Sequence, residues 1–125
     1  MFLLDTNALI CALFAPERLS SAAKKQIESS YPLFVSIVSL WEIAIKQSIG
    51  KLAVDASITE IAQACDALEI KLMPVQPWHI EGIKALPRIH NDPFDRLIIA
   101  QAIAEHLTII TMDQIIPQYN IGTLW

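Results

Sequence analysis

Four carboxylates stand where apolar runs of the sequence give way to helical patterns, and together they could do chemistry. Asp5 ends the first apolar run, Glu42 and Asp95 stand in the first turns of two predicted helices, and Asp113 follows the fourth run. In an open parallel sheet, ligands bind in the crevice beyond the carboxyl ends of the strands. The positions of these acids therefore predict that all four converge at one edge of such a sheet.

Each acid also has an ordinary structural explanation when it is considered alone. Asp5 and Asp113 have side chains suited to a helix N-cap, and Glu42 could complete a capping box with Ser39. Asp95 could likewise complete a capping box with Asp92. A helix N-terminus also favours negative charge in any case. These explanations account for single residues, but they do not account for four acids at equivalent places.

Four converging carboxylates repel one another and raise their pKa values unless a cation neutralises them. Oxygen ligands without His or Cys suit Mg²⁺ or Mn²⁺, and two such ions would offset the net charge of −4. Divalent ions activate water and stabilise charge on phosphoryl oxygens. The sequence contains no GxGxxG, GxxxxGK[ST] or GxSxG motif. The four acids, together with the absence of these motifs, therefore predict metal-assisted hydrolysis of phosphodiesters.

Other polar side chains are candidates for supporting this site. Thr6 and Asn7 begin the helix after Asp5, and Thr6 could orient a metal-bound water. Three cations lie toward the same side and are candidates for substrate or partner contact, with solvation as the ordinary alternative: Lys46, Lys51 and Arg96. The histidines lack metal-ligand spacing and are expected at the surface or in the core: His79, His90 and His106.

The elements that must position these residues alternate along the chain. Apolar runs predict strands at 2–4, 33–38, 70–75, 107–111 and 121–124. Helical patterns cover 6–14, 21–30, 39–49, 57–68, 77–86 and 92–106, and the last of these is apolar almost all round. Strands with continuous apolar runs are buried on both faces. We therefore expect an α/β fold over residues 1–125, one domain with a parallel sheet of four to five strands flanked by helices.

Composition narrows the class of protein. Hydrophobic residues make up 54% and charged residues 18%, which excludes disorder. No apolar run is long enough to span a membrane, and Asp5 interrupts the apolar start, so we expect a cytoplasmic protein without a signal peptide.

Cys11 and Cys65 show no CxxC spacing and are expected to be buried thiols. The net negative charge argues against a broad basic face for nucleic acid, and the apolar excess suggests a homodimer interface.

At these residues the sequence resembles the PIN-domain ribonucleases, in particular the VapC-like toxins of bacterial toxin–antitoxin pairs. The matching segments are "LLDTNALI", "VSLWEIAIKQSIGKL", "HNDPFDRLIIAQAIAEHLTIITMD" and the terminal "LW". The resemblance places the family's acidic quartet at Asp5, Glu42, Asp95 and Asp113. It implies a magnesium-dependent endoribonuclease that acts on RNA and is held inactive by a cognate antitoxin.

The resemblance also bears on the supporting residues. The family's small polar site residue falls on Thr6 or Thr111. Asn7 stands where the most similar subgroup commonly has His, so this chain departs from the family pattern at that position.

Two other classes remain open at this point: a phosphoryl enzyme of another kind, such as a phosphatase or a receiver domain, and a non-catalytic binding module. A haloacid-type phosphatase requires a second acid after the first strand, and Asp5-Thr6-Asn7 lacks it. A receiver domain requires a lysine after its last strands, and the segment around Asp113 offers none. A non-catalytic binding module with the same fold would be marked by loss of a site acid, and no acid of the quartet is missing. Release of RNA fragments would distinguish a nuclease from such a module.

Overall fold

The apolar runs of the sequence form one parallel sheet. In the computed structural model, which describes residues 1–125, the five strands lie in the order β3-β2-β1-β4-β5. Their bounds are β1 Phe2–Leu4, β2 Leu33–Ser36, β3 Ile70–Met73, β4 Thr108–Ile110 and β5 Thr123–Leu124. All neighbouring strands are parallel. Their carboxyl ends therefore lie at one edge of the sheet, and the N-terminal strand lies at its centre.

Six α-helices flank the sheet, and the predicted α/β fold is confirmed. They are α1 Thr6–Phe14, α2 Ser21–Ser29, α3 Ile37–Ser48, α4 Ile58–Ala67, α5 Pro77–Ile83 and α6 Pro93–Glu105. Two short 3-10 helices cover Pro16–Arg18 and Ile116–Tyr119. Polar residues begin most of the helices, because their side chains accept the N–H groups that the first turn leaves free. None of these helices is both long and apolar enough to cross a bilayer.

The two faces of the sheet bury two separate hydrophobic clusters. Successive side chains of a strand point to opposite faces, so Leu4 packs with α1 to α4 on one face, while Leu3 packs with α6 on the other. Cys65 lies in the first cluster, and both it and Cys11 are buried free thiols, as the sequence predicts. The sheet is thus covered on both sides, which explains why its strands lack alternation of apolar and polar residues.

The start of α3 differs from the sequence prediction. The helix begins at Ile37, two residues before the predicted start, and Ser36 is its N-cap, accepting the Val38 N–H at 3.1 Å. Ser39 is therefore buried inside the first turn and does not form the predicted capping box with Glu42. Glu42 lies in the second turn. Its carboxylate is consequently free to face the edge of the sheet.

The end of β3 and the burial of α6 also differ from the prediction. Strand β3 ends at Met73, before the predicted limit of residue 75. Helix α6 is buried over residues 98–102, but Ile103 near its end is 46% exposed. An apolar sequence all round the helix therefore does not imply burial all round. The last turn is covered on one side only, where Trp78 and His79 of α5 contact Glu105.

Candidate metal centre

Asp5 lies directly after β1, at the centre of the carboxyl edge of the sheet. Its Oδ1 atom accepts the Ala8 N–H at 2.8 Å and so caps α1, and its Oδ2 atom accepts the Thr111 hydroxyl that follows β4. The side chain is 4% exposed. Burial raises the pKa of Asp5 to about 6, against the effect of these two hydrogen bonds. The nearby charges of Asp113 and Glu42 raise it further.

Glu42 reaches the same edge from α3, and two side chains hold its carboxylate. The Thr6 hydroxyl donates to Oε1 at 2.6 Å, and Lys46 Nζ donates to Oε2 at 2.7 Å. The Ser39 hydroxyl lies 2.9 Å from the Thr6 hydroxyl, so α1 and α3 are joined beside the carboxylate. The hydrogen bond with Glu42 raises the pKa of Lys46. The Glu42 carboxylate is therefore fixed in orientation, and the Lys46 ammonium forms an ion pair with it.

Asp95 lies in the first turn of α6, whose N-cap is Asp92. The Asp92 carboxylate accepts the N–H groups of Phe94 and Asp95, which is one half of the predicted capping box. The Asp92 N–H goes to His90 instead of the Asp95 side chain, so that side chain is free to face the site. Burial raises the pKa of Asp95 to about 7, and the charge of Asp92 adds to this effect. The His90 ring acts in the opposite direction. The charges of Glu42 and Asp5 also raise the pKa of Asp95.

Asp113 completes the set beyond β4. Its Oδ1 atom accepts the N–H groups of Ile115 and Ile116 at 2.6 and 3.2 Å. Burial would raise the pKa of Asp113, but the Ile115 N–H and the His90 ring outweigh it and leave the pKa below its usual value. Asp113 thus remains ionised more readily than Asp5 or Asp95.

His90 lies among these acids, whereas the sequence placed it in the core or at the surface. Its Nε2 atom is 3.0 Å from Asp95 Oδ2 and 3.2 Å from Asp113 Oδ2. Its Nδ1 atom accepts the Asp92 N–H at 3.2 Å. Because an accepting nitrogen carries no proton, the hydrogen-bond network assigns the proton to Nε2, which donates to Asp113. His90 therefore holds two acids from different elements in place.

We name these four carboxylates, Asp5, Glu42, Asp95 and Asp113, the acidic site. The structure brings them to one edge, where Asp5 is buried and Asp95 is partly buried, and neither has a Lys or Arg ion pair. Uncompensated buried carboxylates are costly, and a cation relieves the cost. The donor set is mainly oxygen, which fits Mg²⁺ or Mn²⁺. His90, Asp95 and Asp113 offer ligand atoms that all lie within 4.8 Å of one another, so the residues present fit a divalent ion. That all four carboxylates hold such an ion stays a prediction from the sequence.

The remaining candidates from the sequence are placed differently. Thr111 and Thr6 both contact acids of the site, whereas Asn7 is exposed and its side chain forms no hydrogen bond within the chain. Lys51 is exposed on the loop after α3. Arg96 donates to the Pro87 and Ile83 carbonyls and to the Tyr119 hydroxyl, so part of its guanidinium serves to hold the segment before α6.

An apolar groove lies beside the acidic site. It has a volume of about 260 Å³ and is lined by Val38, Trp41, Ile80, Ile83, Pro93, Phe94 and Leu97. Trp41 contacts the Phe94 ring edge-to-face at 5.1 Å, yet it remains 60% exposed. Trp78 is 57% exposed. Both rings thus keep packing contacts on one side and expose more than half of their surface.

Solved structures share the fold of this chain at low sequence identity. A toxin–antitoxin complex from Klebsiella pneumoniae is 19% identical with a TM-score of 0.66, and the match covers 100% of this chain and 97% of that chain. FitAcB from Neisseria gonorrhoeae is 17% identical with a TM-score of 0.65, covering 100% and 97%. VapBC2 from Rickettsia felis, bound to a DNA fragment from its promoter, is 14% identical with a TM-score of 0.68, covering 99% and 98%.

Comparison of the sequence itself gives a family assignment. No curated protein matches it significantly. The family profile of the PIN domain, however, matches residues 2–121, which include the first four strands and every acid of the site. This match agrees with the resemblance seen in the sequence segments and with the parallel sheet. The chain therefore belongs to the PIN-domain family.

Proposed function

We propose that this protein is a magnesium-dependent endoribonuclease that hydrolyses RNA phosphodiester bonds at the acidic site. The observation that carries the proposal is the convergence of four carboxylates at the carboxyl edge of the sheet, where burial of Asp5 and partial burial of Asp95 raise their pKa values. PIN domains are typically metal-dependent nucleases, which supports this activity. In this proposal the 125 residues act as one cytoplasmic domain.

The chain's own residues would hold the reacting groups in fixed positions. Mg²⁺ or Mn²⁺, when bound, supplies an activated water and stabilises negative charge on a phosphoryl oxygen. Thr111 orients Asp5, and Thr6 with Lys46 orients Glu42. Carboxylates fixed in this way need little rearrangement when the charge on the phosphate changes, which is the basis of electrostatic preorganisation.

His90 and the 3-10 helix after β4 would fix the other pair of acids. The ring of His90 touches both Asp95 and Asp113, so the distance between these carboxylates depends on one side chain. The N–H groups of Ile115 and Ile116 hold the second carboxylate of this pair from the other side. We therefore assign His90 a positioning role, distinct from that of the four carboxylates.

We further propose that the protein is the toxin of a type II toxin–antitoxin pair. Solved structures with the same fold include a toxin–antitoxin complex and VapBC2, which supports an antitoxin as the partner. The antitoxin would inhibit by presenting an Arg side chain to the carboxylates, because a guanidinium pairs with carboxylates through two parallel hydrogen bonds. We also propose a homodimer, because a groove of apolar side chains beside the acidic site is open to solvent.

The test of the activity is cleavage of a defined RNA by the purified protein with Mg²⁺, Mn²⁺ or EDTA. We expect fragments only with metal, and we expect Asp95→Asn to abolish them, because the amide is a poorer metal ligand and carries no charge. The matched control is Asp66→Asn, an exposed acid of α4 away from the site. Binding of RNA without fragments in any metal, or full activity of the Asp95→Asn protein, would overturn the proposal.

A further inference from the structure

A small cavity with two arginines lies next to the acidic site. It has a volume of about 250 Å³, and its walls are Ile83, Arg88, His90, Asn91, Pro93 and Arg96. No carboxylate contributes to this lining, although the chain as a whole has a net charge of −4. Two of the three arginines of the sequence therefore face one cavity without an acid in its wall.

Neither guanidinium is neutralised within the protein. No ion pair involves Arg88 or Arg96. The hydrogen bonds of Arg96 go to neutral oxygens, at 2.9 Å to Pro87 O, 3.2 Å to Tyr119 Oη and 3.4 Å to Ile83 O. These bonds leave further N–H groups of the guanidinium free. Arg88 is exposed and forms no side-chain hydrogen bond within the chain.

The charge in this cavity is complementary to that of the acidic site. Two like charges that share a cavity repel each other, and an anion between them relieves that repulsion. The planar guanidinium matches the oxygens of a phosphate in two parallel hydrogen bonds, and the Asn91 amide offers a further donor. The volume is several times the roughly 30 Å³ of one water molecule. The cavity is therefore suited to a phosphate group.

The position of the cavity identifies which phosphate it would take. His90 lines the cavity and also contacts Asp95 and Asp113, so a single imidazole ring separates the two regions. We propose that Arg88, Asn91 and Arg96 bind a backbone phosphate of the RNA next to the phosphodiester that the acidic site cleaves. This inference rests on the proposed function, since it takes RNA as the substrate. It explains how a chain with net negative charge attracts a polyanion.

Arg96 also holds the segment before α6, so replacing it would change both the stability of the fold and the affinity for RNA. The experiment therefore uses Arg88, whose side chain has no partner within the chain. Arg88→Ala, Arg88→Lys and the matched control Arg18→Ala are each placed in an Asp95→Asn background, which is expected to leave RNA intact. Arg18 is also exposed and free of ion pairs, but it lies on the 3-10 helix after α1. Thermal unfolding checks that all three variants remain folded.

The measurement is fluorescence anisotropy of a short single-stranded RNA, titrated in Mg²⁺ at several concentrations of monovalent salt. A phosphate contact contributes about 0.7 to the slope of log K against log salt for single strands. We expect Arg88→Ala to weaken binding several-fold and to reduce the slope by about 0.7. Arg88→Lys should retain the slope, and Arg18→Ala should change neither quantity.

An unchanged slope in Arg88→Ala, or equal losses in Arg88→Ala and Arg18→Ala, would overturn the phosphate site. Failure of the proposed function appears separately, as an absence of RNA cleavage by the wild-type chain in all metals. Cleavage by the wild type together with an unchanged slope in Arg88→Ala would thus refute only the phosphate site.

Discussion

Asp5 and Asp95 are carboxylates whose proton affinity is set by burial at the edge of the sheet. Their pKa values are raised to about 6 and about 7, so both carry protons in the metal-free protein at mildly acidic pH. A divalent ion binds the ionised form, and it must therefore displace these protons. Proton release on metal binding is a direct measure of this linkage.

We expect Mg²⁺ or Mn²⁺ to bind more weakly and to release more protons at about pH 6 than at about pH 8. The reason is that Asp95 is mostly protonated at the lower pH and mostly ionised at the higher one, given its pKa of about 7. Isothermal titration in buffers with different ionisation enthalpies counts the protons. The same number of protons at both pH values would contradict the raised pKa values.

The same carboxylate should make the metal-free protein less stable as the pH rises. The folded-state pKa of Asp95 is about 7 and its ordinary value is 3.8, so the folded protein keeps a proton that the unfolded chain loses between these values. The free energy of unfolding therefore falls as the pH rises through this window. Asp95→Asn has no such proton, and its stability should fall less between about pH 5 and about pH 8.

Urea denaturation in EDTA at the two pH values measures this difference. Asp66→Asn serves again as the control, because it removes an exposed acid and should leave the wild-type pH dependence unchanged. Equal pH dependence in Asp95→Asn and the wild type would show that the burial of Asp95 has no energetic consequence.

The sequence predicted the four acids and named three of the side chains that hold them, Thr6, Thr111 and Lys46, but it did not assign His90 to the site. Acids were predictable because each follows a local pattern, the end of an apolar run or the start of a helix. Thr111 and Asp5, in contrast, are 106 residues apart, and only the pairing of β4 with β1 brings them together. His90 gave a weak local signal, since it stands five residues before Asp95. Its contact with Asp113 depends on tertiary structure.

At the scale of elements, the error at α3 has a physical cause. Apolar residues continue after Ser36 through Ile37 and Val38, so the sequence prediction extended the strand past Ser36, although this serine marks the change from strand to helix. Periods of 2 and 3.6 residues cannot be separated over so short a run. Ser39 and Glu42 match a capping box by spacing, but Ser36 precedes them and caps the helix first.

The N-cap of α3 gives a prediction for this element. Ser36→Ala removes the acceptor of the Val38 N–H, so we expect it to lower the free energy of unfolding by about 1 kcal/mol. Ser21→Ala is the control, because Ser21 is exposed in the first turn of α2 and its side chain accepts no capping hydrogen bond. Chemical denaturation compares the two. A loss in Ser36→Ala no larger than in Ser21→Ala would contradict the assigned cap.

At the scale of the whole molecule, the fold was predictable because strands and helices alternate and each has a distinct length. Continuous apolar runs indicated a sheet covered on both faces, and the observed clusters on the two faces agree with this. The strand order was not predictable from the sequence, because the apolar runs resemble one another. Nor did composition show where the apolar excess is exposed. The structure locates part of it in the apolar groove.

The apolar groove leads to a prediction about assembly. Trp41 projects from its wall and is 60% exposed, so the same surface carries both a projection and a recess. A two-fold interface uses the same patch on both subunits, so the projection of one copy can enter the recess of the other. We expect a dimer at micromolar concentration, with a mass twice the 13.9 kDa of one chain, and Trp41→Glu should shift it to monomer.

Light scattering across a concentration series measures this mass. Tyr31→Glu is the matched control, since Tyr31 is 67% exposed but lies outside the groove. A monomeric wild type at these concentrations, or equal dissociation by both substitutions, would rule out the groove as the dimer interface.

The central position of β1 has a consequence for synthesis on the ribosome. β1 and Asp5 are made first, yet their neighbours β4, Thr111 and Asp113 follow only after about one hundred further residues. At about 5–20 residues per second, this delay lasts roughly 5–20 s. During that time the nascent chain lacks half of its acidic site. On the proposed function, the messenger being translated is therefore not exposed to cleavage by the unfinished chain that emerges from it.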